Sequence, residues 1–85
     1  MAYFAAILEM KQKELNDLYR PQHLEFLKQL EKEGKVYKKG PFLDGSGGLV
    51  IYIADNYDEA KLLAEQDPYI IYGVRSLDLR QWGIV

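Results

Sequence analysis

Cysteine is absent from the 85-residue chain. That absence removes disulfides, thiolate nucleophiles and cysteine-based zinc sites, and it favours an intracellular, cytoplasmic setting. Histidine occurs once, at position 23, which leaves few ligands for a metal-dependent site. No cofactor is expected. Positive charge is not in excess either: 11 Lys and Arg against 13 Asp and Glu give a net charge of −2. A nucleic-acid backbone is therefore a poor partner. No apolar run approaches the roughly 20 residues of a membrane-spanning helix. The opening MAYFAAIL meets Glu9 at once and has no basic flank, so it reads as a strand rather than a signal segment, and no membrane partner is expected.

What is present describes a folded domain. The chain is 48% hydrophobic and 28% charged, the range of globular proteins rather than disordered ones. Its length suits a single domain over residues 1–85. Residues 2–8 form a first strand, and 9–19 a polar connection with room for a helical turn. Pro21 suits the first position of a helix, whose buried stripe is Leu24, Phe26, Leu27 and Leu30 and whose end Gly34 is placed to cap. A second strand covers 35–42, where Pro41 implies an edge position or an irregular finish. The glycine-rich LDGSGG (43–48) is a hairpin loop, and LVIYI (49–53) a third strand. Asn56, with Glu59 three residues on, starts a second helix at Tyr57, which Asp67-Pro68 stops. Residues 74–82 alternate as a half-buried strand, Leu77 and Leu79 on one face against Ser76, Asp78 and Arg80 on the other.

The order β-α-β-β-α-β predicts an α+β, ferredoxin-like fold: a four-stranded antiparallel sheet in the order 4-1-3-2 with both helices on one face. Two helices of about 10 Å diameter cover one face of a sheet about 19 Å wide, not two. Yet the first and third strands are apolar on both faces, with Tyr3, Ala5 and Ile7 opposite Phe4, Ala6 and Leu8. A homodimer through the open sheet face is the expected cover.

This topology brings His23, the 43–48 loop and Asp67 to one edge of the sheet. A neutral imidazole near a helix N-terminus suits a general base, and a carboxylate at a helix C-terminus gains from an imidazole N–H. His23 and Asp67 are therefore candidate catalytic groups. Arg20 is a candidate clamp for a substrate carboxylate and Ser46 belongs to a possible anion-binding loop. Tyr37, Tyr52, Tyr69 and Tyr72 are candidate pocket walls. Each has a plainer reading too: a packed histidine, a helix stop, a solvated arginine, a permissive turn.

The stretches RPQHLEFLKQLEKEGKV, GPFLDGSGGLVIYIA, DEAKLLAEQDPYIIYGV and LDLRQW, in that order, resemble the YciI-like (YCII-related) family. The resemblance implies a dimeric α/β barrel shaped like muconolactone isomerases, and an active-site His and Asp. The histidine of the family's R-x-x-H-L motif falls on His23 and the aspartate of its D-P motif on Asp67. The expectation is a small-molecule enzyme in which His23, oriented by Asp67, moves a proton in isomerisation, lactone or elimination chemistry. The alternative is a non-catalytic module holding a small ligand in the same cleft. An RNA-recognition domain shares the strand order, but GLVIYI lacks that domain's aromatic strand motif.

Overall fold

The computed structural model describes residues 1–84. Strand β1 (Ala2–Met10) leads through a 3-10 turn (Lys13–Leu15) into helix α1 (Asn16–Lys32). Strands β2 (Val36–Pro41) and β3 (Gly47–Ala54) form a hairpin, followed by helix α2 (Tyr57–Ala64), a short helix α3 (Pro68–Ile71) and strand β4 (Arg75–Trp82). The sheet is antiparallel in the order β2-β3-β1-β4, the βαββαβ arrangement the sequence predicts.

Period-two alternation divides β1 between two faces. Phe4, Ala6 and Leu8 are buried and stand opposite Tyr52, Val50 and Gly48 of β3, with Leu79 and Leu77 of β4 beside Ala6 and Leu8. Leu27 and Leu30 of α1 and Ala60, Leu63 and Ala64 of α2 join this face in one core. Each large side chain buried there contributes about 1.5–3 kcal/mol. The opposite face carries Tyr3, Ala5 and Ile7 paired with Ile53, Ile51 and Leu49. No helix residue of the core cluster packs on that side.

Three expectations need correction. Helix α1 starts at Asn16, not Pro21, so Pro21 lies inside it. Long-range contacts hold the extra turn: Asn16 accepts a hydrogen bond from Arg75, and the Tyr19 ring stacks on Tyr72 at 4.3 Å. Second, Leu24 is 42% exposed, and the buried stripe of α1 is His23, Leu27 and Leu30. Third, Asp67 ends no long helix; it is the N-cap of α3, its carboxylate accepting from the Tyr69 N–H at 2.9 Å.

The caps read from sequence are present. Asn56 Oδ1 accepts from the Glu59 N–H at 2.9 Å. Past α1, Lys35 N–H reaches the Leu30 carbonyl and Gly34 N–H the Glu31 carbonyl, with Gly34 at φ +74°, the left-handed C-terminal motif that glycine allows. No helix among the described residues is long and apolar enough to cross a membrane.

Candidate functional site

His23 reaches the site because it shares the i, i+4, i+7 face of α1 with Leu27 and Leu30 and is only 7% exposed. Its Nδ1 lies 2.8 and 2.9 Å from the two carboxylate oxygens of Asp67, forty-four residues along the chain and fully buried. The carboxylate can only accept, so Nδ1 carries the proton and donates it. That fixes the neutral tautomer and leaves Nε2 with a lone pair. Nε2 makes no hydrogen bond among the described residues, and His23 lines a cavity of about 200 Å³.

His23 is two turns into α1, beyond the first turn where an N-terminal dipole is felt. Asp67 sits at the favourable end of α3 rather than the unfavourable end of α2. The pair is therefore held by burial, hydrogen bonding and the cap.

The Tyr69 ring stacks on the imidazole at 4.0 Å between centroids, nearly parallel at 18°. The Arg75 guanidinium lies over the same ring at 4.3 Å. Tyr69 thus packs on both the imidazole and the guanidinium. Burial pushes the Tyr69 phenol above its ordinary value, with Asp67 among the smaller raising influences and Arg75 and Arg20 opposing. Burial also lowers the Arg75 pKa, though a guanidinium stays charged in proteins. Arg75 is 8% exposed, gives one hydrogen bond, to Asn16 Oδ1 at 2.8 Å, and has a buried Nε without a partner.

Of the sequence-derived site residues, the structure brings His23, Asp67, Tyr69 and Arg20 together, with Arg20, His23 and Tyr69 lining the cavity and Asp67 behind His23. It places two elsewhere. Tyr37 packs edge-on against Tyr3 at 5.3 Å, and Tyr3 belongs to the open sheet face. Ser46 is exposed in the hairpin, where its N–H closes a turn on the Asp44 carboxylate. The β2 bulge between Val36 and Lys38 sets Tyr37 out of the pleat, and the hairpin ladder carries Ser46 past the cavity rim. Tyr72 stacks on Tyr19 outside the cavity, and Tyr52 belongs to the core and not to the cavity wall.

Arg75 lies outside the expected site residues and Gly48 enters them only as the last residue of the 43–48 loop, yet both line the cavity. A Cβ on Gly48 would meet Arg75 Nη1 at 3.0 Å and the Gly40 carbonyl oxygen at 3.0 Å, so glycine leaves the guanidinium its room. Strand parity carried the signal: Arg75 is in phase with Leu77 and Leu79, and Gly48 with Val50 and Tyr52, all on the helix side. Among the described residues no cluster of three His, Asp or Glu side chains could hold a metal ion.

Among solved structures, the chain is similar to 5-chloro-2-hydroxyhydroquinone dehydrochlorinase (TftG) from Burkholderia phenoliruptrix AC1100 in complex with 2,5-dihydroxybenzoquinone. The TM-score is 0.81 over 95% of this chain and 93% of that one, at 22% identity, and shows a shared fold. An uncharacterised protein of Bacillus subtilis (strain 168), YjpA, is 31% identical over 82 residues, 96% of each chain. The YCII-related domain family matches residues 1–83, and the chain belongs to that family.

Proposed function

We propose that this protein is a small-molecule enzyme in which His23 Nε2 moves a proton to or from a substrate in the adjoining cavity. The observation that carries this is the buried Nδ1–Asp67 contact, which orients the ring and stabilises the imidazolium formed when Nε2 takes up a proton. Tyr69 holds the ring plane from one face. The reactions that fit are isomerisation, lactone chemistry and elimination next to an activating carbonyl. The dehydrochlorinase with the same fold lends support to the last.

The test is hydrogen exchange at activated carbons in D2O, followed by proton NMR over a panel of unsaturated lactones and hydroxyquinones, 2,5-dihydroxybenzoquinone included. The parent should accelerate exchange on at least one member. His23→Ala should lower that rate about 10²–10⁴-fold with the fold intact. Asp67→Asn should lower it comparably, since the amide NH2 can face Nδ1 and select the wrong tautomer. A rate unchanged in His23→Ala rejects the proposal. A ligand that binds but never exchanges favours a module that only holds small molecules.

We further infer that the protein works as a homodimer through the open sheet face. Tyr3, Ile7, Leu49, Ile51 and Ile53 make that face apolar, and no helix of the core covers it.

A further inference from the structure

Arg75 is a buried cation with too little around it. The residue is 8% exposed, its Nε is buried, and among the described residues no carboxylate lies within the 4.0 Å of an ion pair. Asn16, its hydrogen-bond partner, is neutral, and Nε has none. The Tyr69 face offers some compensation, but a cation–π contact replaces little of what water gives a charge. Asp67 is the buried negative charge nearby, and its oxygens are committed to His23 Nδ1 and the Tyr69 N–H. A desolvated, unpaired guanidinium is costly unless an anion arrives to meet it.

The rest of the cavity points the same way. Its wall includes Arg20, Lys39 and Arg75 and no Asp or Glu, although the chain as a whole is acidic. Lys39 does not count towards a ligand, because its Nζ is paired with Glu31 at 2.7 Å. Arg20 and Arg75 also both line a neighbouring cavity of about 270 Å³, so the two residues are shared by both spaces. The remaining wall is largely apolar, with Leu8, Leu27 and Val50. About 200 Å³ suits one substituted ring, given that a cavity of about 150 Å³ takes benzene.

We propose that the cavity selects a small organic anion, a ring or short chain bearing a carboxylate or enolate-type oxygen, with Arg75 and Arg20 holding the charged end and His23 facing the reacting carbon. The inference rests on reading the cavity as a substrate site and adds the substrate class. A guanidinium beside the oxygen of an enolate would also stabilise the charge that develops when Nε2 removes a neighbouring proton.

Benzoate and its neutral amide, benzamide, test this by NMR titration of the whole protein at low ionic strength. Benzoate should bind at least about tenfold more tightly than benzamide, and added salt should erode that preference. Arg75→Gln should abolish the preference, read as the ratio of the two affinities, and Arg75→Lys should keep part of it. Equal affinity for the two probes, or no benzoate binding at millimolar concentration, overturns the proposal, and this comparison in the parent decides the matter even if Arg75→Gln does not fold. His23→Gln separates this idea from the catalytic one. Benzoate preference kept while exchange is lost supports both, exchange unchanged in that variant overturns only proton transfer, and exchange by the parent without benzoate preference overturns only anion selection.

Discussion

Single residues show how burial is used. Tyr52 is fully buried, and its hydroxyl has no hydrogen-bond partner among the described residues. Burial first, and the Asp67 charge second, push its phenol far above the ordinary value. The unfolded chain releases that proton near pH ~10, whereas the folded protein keeps it. The stability this contributes is full below that pH and is lost as pH rises above it. Tyr52→Phe should therefore flatten the alkaline fall in stability. It should also leave the neutral-pH melting temperature unchanged or raise it, because it removes an unsatisfied polar group from the core. Thermal melts of both proteins between pH 7 and 11 measure this; a large loss of stability at pH 7 would show that the hydroxyl has a partner after all.

Elements show where sequence reading succeeds and where it stops. The N-cap of α2 is local, one side chain and the N–H three residues on, so Asn56 and Glu59 disclosed it. Asn56→Ala should cost about 1 kcal/mol, and urea unfolding should give a lower midpoint with the same slope. The strand order was equally legible. The apolar runs of β1 and β3, the alternation of β4 and the glycines of the hairpin mark the elements, and the β-α-β-β-α-β succession with right-handed crossovers then sets the order. The start of α1 was not. Pro21 is an acceptable first residue, but the turn before it is fixed by Asn16 meeting Arg75 and Tyr19 meeting Tyr72, contacts more than fifty residues apart. The Asp67-Pro68 pair misled for another reason. An aspartate before a proline ends one helix and equally caps the next, and only the packing of Tyr69 against His23 selects the second. The His23–Asp67 meeting followed from topology alone, whereas the place of Arg75 depends on strand parity at the first residue of β4, where alternation puts a charged side chain in phase with Leu77 and Leu79.

On the scale of the whole molecule, one face of the sheet is built into a core and the other is left apolar. A second copy would cover it, and light scattering should return the mass of two 9.9 kDa chains. Ile53→Lys, at a half-buried position on that face, should shift the mass to one chain while circular dichroism stays the same. A single-chain mass for the parent at tens of micromolar would remove the dimer from the account. The cavity lies on the helix side, so its electrostatics belong to one protomer: a negative chain with a positive pocket, and one imidazole at its wall.

The central claim is that Asp67 holds His23 with the proton on Nδ1 and the lone pair on Nε2, facing the cavity. Long-range proton–nitrogen NMR of the uniformly 15N-labelled protein reads this directly, since the chain has a single histidine to assign. In the neutral form the account expects a protonated Nδ1 and an unprotonated Nε2, with the pattern reversed or mixed in Asp67→Asn. A parent protein whose neutral imidazole carries its proton on Nε2 would contradict it.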